Sequence, residues 1–208
     1  MKFSEFKKQA EQKVSKLAEI FESMPWENRD FYNHWLTQTH AYVSYTSTFL
    51  TLCNQMTPKG HPLKEHFEHH LEEEDGHEKM SENDMKFMNS PDLPVFGITG
   101  VFWKSQFYWI KEHGPTAHLG YSLLLEGLAA VSGHNVLKRI QGAGFNGYTF
   151  LKVHAEEDTG HFNRAVEATS VLSDAERSNI YQNLCEGMDT YVAILKECER
   201  RSVSRLAA

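Results

Sequence analysis

The pattern of apolar and polar positions along the chain predicts helices from end to end. Apolar residues recur at three- and four-residue spacing, as at Phe6, Ala10, Val14 and Leu17, which is the period of an amphipathic helix. The strict alternation that marks a half-buried strand does not persist anywhere. The fold class is therefore predicted to be all-α. Seven helices are expected, at residues 2–23, 28–56, 62–89, 101–110, 115–141, 148–171 and 173–203.

The segments between these helices contain the residues that usually end helices. Pro25, the stretch 57–62, the loop 90–100 and the glycine-rich stretch 142–147 supply the breaks. Ser173, followed three residues later by Glu176, has the pattern of a capping box that starts the last helix. No low-complexity stretch or long linker divides the chain, so residues 1–208 are expected to form a single domain.

Two of the predicted helices become polar along the face that should pack into the core. In the third helix the apolar stripe of Leu63 and Phe67 continues as His70, Glu74 and His77. The sixth helix repeats this spacing with its own set of side chains, His154, Asp158 and His161. Ionisable groups on a buried stripe cost stability unless something pairs them, and a metal ion can do so.

The fifth predicted helix carries a single acid on an otherwise apolar face. Glu126 lies between the leucines at 123–125 and the segment 128–130, so it either faces water or meets a cation. Adding it to the two polar stripes gives three imidazoles and three carboxylates, without a thiolate. Such a set favours two iron or manganese ions over a structural zinc. The candidate ligands are Glu74, His77, Glu126, His154, Asp158 and His161.

Composition excludes several other functions. The net charge is −7 and no dense lysine or arginine patch is present, which argues against nucleic acid as a partner. No apolar run approaches the roughly 18 residues of a membrane span, so no membrane association is expected. Cys53, Cys185 and Cys198 match neither a zinc site nor a disulfide scaffold. We therefore expect a cytoplasmic protein, and a homodimer is compatible with this composition.

The motifs resemble those of the haem-oxygenase-like diiron oxidases and oxygenases, and the resemblance covers most of the chain. That family shares a seven-helix fold with haem oxygenases, thiaminase-like proteins and pyrroloquinoline-quinone synthase. The sixth-helix motif, Glu126 and the pair Glu74 and His77 correspond to its ligand positions. The resemblance implies two Fe ions, with Mn as an alternative, O2 as co-substrate and an electron donor. It also implies a small substrate of the amino-acid or fatty-acid class. The leucine-rich fifth helix and the aromatic segment 101–110 favour an apolar or amphipathic substrate, and the rings of this segment either line a pocket or fill the core.

The resemblance leaves the first ligand open. Some members of the family place a glutamate seven residues before the histidine that corresponds to His77, and that position here is His70. Glu74 is preferred because it preserves three carboxylates, and His70 then becomes an auxiliary ligand. Arg164, one turn beyond His161, either holds a substrate carboxylate or forms a surface salt bridge.

Three other functions remain as alternatives. Residues 123–140 resemble the distal helix of haem oxygenases, and a haem-degrading enzyme would need a proximal ligand such as His34 or His40. A non-catalytic metal- or ligand-binding protein of the same fold is the second alternative. A ferritin-like iron protein is the third, although a glutamate on an apolar stripe of the first helix is missing.

Overall fold

The structure, a computed structural model, describes residues 1–204 and is helical throughout that range, with no strand. The predicted all-α fold class is thereby confirmed. The helices are Phe3–Ser23 (α1), Arg29–Val43 (α2), Thr46–Met56 (α3), Lys64–Glu74 (α4), His77–Phe87 (α5), Gly97–His113 (α6), Leu119–Gly142 (α7), Thr149–Ala168 (α8) and Asp174–Ser204 (α9). Short 3-10 turns at Pro115–His118 and Thr169–Val171 precede α7 and follow α8.

Two of the seven predicted helices are each broken into a pair. The helix expected at 28–56 bends between α2 and α3, where Ser44 Oγ donates a hydrogen bond to the carbonyl of His40 and competes with the helical ladder. The helix expected at 62–89 is interrupted by Gly76, whose φ of 89° lies in the left-handed region. Helical periodicity continues across both breaks, so the apolar pattern alone did not reveal them.

Helix α6 is longer than predicted, because the stretch 97–100 was expected to be a loop. Gln38 of α2 explains the difference: its Oε1 accepts hydrogen bonds from Phe96 N at 2.9 Å and from Thr99 Oγ1 at 2.8 Å. This buried contact holds the first turn of α6 in place and compensates for the low helix propensity of Gly97 and Gly100. A tertiary contact therefore decides where this helix begins.

Helix α7 lies at the centre of the fold and packs against α1, α8 and α9. Small residues allow the close approach on two sides. A Cβ on Gly120 would collide with the backbone of Ile180 and would lie 2.8 Å from Leu184 N, while one on Gly133 would lie 2.8 Å from Ala155 Cβ. This close packing brings the polar face of α8 next to Glu126 on α7.

The last helix agrees with its prediction. Ser173 and Glu176 form the expected capping box, in which Ser173 N donates to Glu176 Oε2 at 2.9 Å and Glu176 N donates to Ser173 Oγ at 3.3 Å. The apolar stripe predicted for this helix is buried. Its members are Ile180, Leu184, Met188, Tyr191 and Leu195.

The cysteines and the hydropathy of the helices add two further findings. Cys53 and Cys198 are buried, and burial raises the pKa of each thiol well above its usual range, so neither forms a thiolate readily. Of the helices in residues 1–204, none combines the length and the apolar character that crossing a bilayer requires.

The close contact between α7 and α9 predicts that Gly120→Ala destabilises the protein. The added methyl group has to displace backbone rather than a flexible side chain, so we expect a loss of about 1–3 kcal/mol in unfolding free energy. Gly142→Ala, at the exposed end of the same helix with nothing within 4 Å of the added Cβ, is the matched control and should be neutral or slightly stabilising. Thermal unfolding compares the two, and equal melting temperatures would contradict the packing described here.

Candidate metal centre

The break at Gly76 shapes one side of the candidate centre. Glu74 is the last residue of α4 and His77 is the first residue of α5, so the two belong to different helices rather than to one stripe. Only glycine adopts a φ of 89° without strain, which allows the chain to turn within two residues. As a result His77 Nδ1 lies 3.4 Å from Glu74 Oε2. The continuous helix expected here was therefore wrong, although its two candidate ligands remain neighbours.

Glu74, His77 and His154 form the tightest cluster of the centre. Each offers one ligand atom, and these atoms all lie within 4.8 Å of one another, which is true of no other group of three or more such residues in the part of the chain described. The rings of His77 and His154 lie 4.9 Å apart. His154 Nδ1 is 2.8 Å from the carbonyl oxygen of Phe150, to which it donates as the Nδ1–H tautomer, leaving Nε2 free to bind a cation.

His70 connects this cluster to α7. Its Nε2 lies 3.1 Å from Glu126 Oε1 and 3.7 Å from Glu74 Oε1. All three side chains are buried, so Glu126 does not face water. Of the two outcomes expected for this acid, the structure shows burial beside a group that can carry positive charge. His70 lies between two carboxylates and is no more distant from the centre than Glu74.

Helix α8 supplies the remaining candidates. Asp158 is buried, and its Oδ1 lies 3.2 Å from His161 Nδ1, although the two atoms are not aligned for a hydrogen bond. Asp158 lines the same cavity as Glu74 and His154, whereas His161 reaches outward to Glu73, with Nε2 to Oε1 at 3.4 Å. The structure therefore brings all six predicted residues into one connected cluster, with His161 at its edge.

Sequence reasoning missed the residue that positions α8. Asp84 of α5 is fully buried, and its two carboxylate oxygens accept hydrogen bonds from the backbone of Thr149 and Phe150, each at 2.8 Å. A side chain of one ligand-bearing helix thus caps the start of another. The sequence did contain a signal for Asp84. It lies seven residues after His77, and this spacing places an acid on the same face of the helix as that histidine.

The outer edge of the centre differs from expectation at Glu73. The sequence suggested a solvated acid, but the side chain of Glu73 is only 24% exposed and contacts His69 and His161 as well as Arg164. Arg164 Nη2 donates to Glu73 Oε1 at 2.7 Å, and its side chain is half exposed. This is the surface salt bridge that was one of its two expected roles.

The pKa values reflect the mutual compensation of these buried groups. Burial alone would lower the pKa of His70, but the carboxylates of Glu126 and Glu74 raise it to about 10. Burial raises the pKa of Asp158 to about 6, against the effect of the His161 imidazole. Burial likewise disfavours the Glu74 carboxylate, yet the nearby imidazoles of His70 and His77 hold the pKa of Glu74 below its usual range. Metal binding would displace these protons, because only deprotonated imidazoles and carboxylates coordinate.

Several polar atoms of the centre have no hydrogen-bond partner within residues 1–204. Buried polar atoms are normally paired, so a group of unpaired ones in one place indicates a bound species. Carboxylate oxygens and imidazole nitrogens are ligands that iron and manganese accept. The residues present therefore fit a metal centre. The atoms concerned are His70 Nδ1, His77 Nδ1, Glu126 Oε2, Asp158 Oδ1 and Oδ2, and His161 Nδ1.

The centre opens onto a cavity of about 80 Å³. His70, Glu74, Glu126, His154 and Asp158 form its polar wall. The rest of the lining is mainly apolar and aromatic. It includes Phe21, Trp35, Leu125, Leu128, Phe150 and Leu151.

The aromatic segment 101–110, one expected source of pocket-lining rings, does not reach this cavity. Phe102 and Trp109 are buried in the core and Tyr108 is 58% exposed. This agrees with the alternative expectation that most of these rings fill the core.

The histidines proposed as haem ligands lie elsewhere. His34 packs its ring on Phe96 with centroids 5.8 Å apart, and His40 Nδ1 meets Ser81 Oγ at 3.0 Å. Neither residue lines the cavity in the described part of the chain.

Comparison with known proteins identifies the fold. No family model matches the chain, and no curated protein matches it in sequence. Among solved structures, a domain of unknown function with a haem oxygenase-like fold from Shewanella denitrificans OS217 superposes with a TM-score of 0.80 at 20% identity, covering 93% of this chain and 92% of that one. A TenA homologue from Pseudomonas syringae pv. tomato DC3000 gives a TM-score of 0.75 at 12% identity over the same shares.

At 20% and 12% sequence identity, the structural similarity defines the fold but not the activity or the substrate. The chain has a haem oxygenase-like fold, as its helix pattern and motifs predicted. A ferritin-like bundle, one of the alternatives, does not describe it.

The break at Gly76 yields a prediction about local strain. Gly76→Ala places a side chain at a φ of 89° and should cost roughly 1 kcal/mol of unfolding free energy. Gly60→Ala is the matched control, because its φ is 84° and nothing lies within 4 Å of the added Cβ. Both should lower the melting temperature similarly, but only Gly76→Ala should shift the ring-proton resonances of His77 and His154. Unchanged resonances would mean that the turn does not position His77.

Proposed function

We propose that the protein is a non-haem diiron oxidase or oxygenase that activates O2 and acts on a small, mainly apolar substrate. The observation that carries this proposal is the position of the centre. Buried carboxylates and imidazoles with unpaired atoms form one wall of a cavity whose other wall is apolar. A centre that served only to stabilise the fold would need no such cavity, because structural metal sites are closed.

The proposed ligands divide between two ions. Glu74, His77 and His154 have the geometry to hold one ion, while Asp158 and His161 lie on the side of the second. Glu126, with His70 beside it at 3.1 Å, would supply the third carboxylate. Three carboxylates leave one net positive charge on two Fe(II) ions, so the buried pair of cations is largely neutralised. Manganese would accept the same ligands.

When bound, two Fe(II) ions would supply electrons and open coordination positions for the reduction of O2. The chain's own contribution is to place ligands, exclude water and hold the substrate. Phe150 and Leu151 shield the centre from the apolar side, and His154 is held in one tautomer by the carbonyl of Phe150. An external electron donor would return the centre to the reduced state after each turnover.

The alternative of haem degradation has less support, because the cavity is small and neither His34 nor His40 lines it. A non-catalytic metal- or ligand-binding protein would retain the ligands and the cavity but would consume no O2, which the first test below measures. Cysteine-based catalysis is not supported either, because no cysteine of residues 1–204 lines the cavity.

The first test is metal stoichiometry. Protein reconstituted with Fe(II) under anaerobic conditions should bind about two ions per chain and consume O2 when air is admitted. Metal analysis after desalting measures the first quantity and an oxygen electrode measures the second. Saturation at one ion, or a tightly held zinc that iron cannot displace, would contradict a diiron oxidase.

The second test separates Glu74 from His70. Glu74→Ala removes an anion from the tightest ligand cluster and should eliminate at least one bound iron. His70→Ala should weaken iron binding by roughly 10- to 100-fold, as expected for a residue that supports a ligand.

Glu72→Ala is the matched control for the second test, because it deletes an exposed acid from the same helix. It should change neither the number of bound iron ions nor the affinity for iron. Circular dichroism establishes that all three variants fold. The reverse order of effects, with iron lost in His70→Ala and retained in Glu74→Ala, would assign the ligand position to His70.

A further inference from the structure

The lining of the cavity beside the candidate centre includes a fully buried hydroxyl group that has no hydrogen-bond partner within residues 1–204. Tyr121 is only 2% exposed, and its Oη is buried without a hydrogen bond within residues 1–204. Two other tyrosines on the cavity wall are paired. The Tyr42 hydroxyl lies 3.2 Å from Thr39 Oγ1, and Tyr191 accepts a hydrogen bond from Trp35 Nε1 at 3.1 Å. The Tyr121 hydroxyl is therefore available to a molecule in the cavity.

The ring that carries this hydroxyl is held on several sides. It lies 4.9 Å from the ring of Phe102 and stacks on His118 at 5.5 Å with an interplanar angle of 23°. His118 is itself fixed by Gln106, 3.2 Å from its Nδ1. A hydroxyl on so constrained a ring does not easily turn towards a protein partner. It remains in place at the cost of being unpaired, which phenylalanine would avoid.

The charges around the cavity restrict which ligand this hydroxyl can serve. No lysine or arginine of the described chain lines the cavity, whereas Glu74, Glu126 and Asp158 do. Arg164, the expected holder of a substrate carboxylate, is instead paired with Glu73 outside this lining. Unless it reached the proposed metal ions, an anionic group in the cavity would find no positively charged side chain other than histidine among the described lining residues. The geometry therefore favours an uncharged ligand.

We propose that Tyr121 Oη anchors the substrate, and that the substrate is a compact apolar molecule with one uncharged hydrogen-bonding group, such as a hydroxyl or carbonyl. This proposal rests on the proposed function, because it names the substrate class of the same site. It excludes a free carboxylate from the position next to Tyr121, which narrows the amino-acid or fatty-acid class expected from sequence. The cavity volume of about 80 Å³ is smaller than the roughly 150 Å³ cavity that accommodates benzene, so the bound portion is small.

The test compares two probe molecules and two variants. The probes are 1-butanol and n-pentane. The two molecules have the same number of non-hydrogen atoms, and 1-butanol has a hydroxyl group where n-pentane has a methyl group. Tyr121→Phe removes the unpaired hydroxyl, and Tyr42→Phe is the matched control that removes a paired hydroxyl from the same cavity. Headspace gas chromatography over sealed solutions of the full-length protein measures both affinities, with and without bound Fe(II).

The expected result is a loss of discrimination in one variant only. The preference of the protein for butanol over pentane should fall roughly three- to tenfold in Tyr121→Phe, the value of one net hydrogen bond, and should persist in Tyr42→Phe. The melting temperature should stay the same or rise in Tyr121→Phe and should fall in Tyr42→Phe, because only the latter loses a protein hydrogen bond.

Two outcomes would overturn the proposal: an unchanged preference in Tyr121→Phe, or no binding of either probe by the unmodified protein. Failure of the diiron function is distinguishable from both. In that case iron stoichiometry falls short of two, while the discrimination between probes in metal-free protein still depends on Tyr121.

Discussion

The structure depends on the compensation of charge inside a helical core. Glu74, Glu126 and Asp158 are all less than 9% exposed, although an unpaired buried carboxylate is costly enough to unfold a marginal domain. An imidazole lies beside each carboxylate: His70 beside Glu74 and Glu126, and His161 beside Asp158. Because His70 of α4 is the imidazole beside Glu126 of α7, these two helices have to pack together for the Glu126 carboxylate to be tolerated.

The arrangement of helices is built around this requirement. Glycine and alanine on α7 and α8 allow close approach, so that Glu126 meets the polar faces of its neighbours. Asp84 caps α8 from α5 and thereby sets the position of one ligand-bearing helix against another. Such contacts around a site hold its side chains in position, which metal centres require for affinity and for reactivity. The break at Gly76 completes the arrangement by directing His77 towards Glu74.

The polar wall faces an apolar cavity, and this asymmetry connects the structure with the proposed chemistry. A reaction of O2 at a metal centre requires an apolar, water-poor space in which a substrate is held close to the ions. The aromatic lining supplies that space, and the unpaired hydroxyl of Tyr121 is the point of attachment that we propose within it. The described residues of this lining include no lysine or arginine, so the selection that we propose is by shape and by a hydrogen bond rather than by charge.

The sequence by itself determined the all-α class and the buried stripe and capping box of α9, because helical periodicity and capping are local properties. It also singled out Glu74, Glu126, Asp158 and the histidines near them, since ionisable residues on an apolar face conflict with burial in any packed helix. Only the tertiary structure decided where α6 begins, because this depends on the contact of Gln38 with Phe96 and Thr99. The breaks at Ser44 and Gly76 have local causes that apolar periodicity does not report.

The tertiary structure also decided the roles of residues whose partners are distant in the chain. His70 fits between Glu74 and Glu126 only because α4 and α7 lie side by side. Asp84 caps the start of α8, and Tyr121 lines the cavity. Neither role can be recognised from a local sequence pattern. Periodicity reports which face of a helix is buried, but it does not report what that face meets. The identity of the neighbour is set by packing over the whole chain.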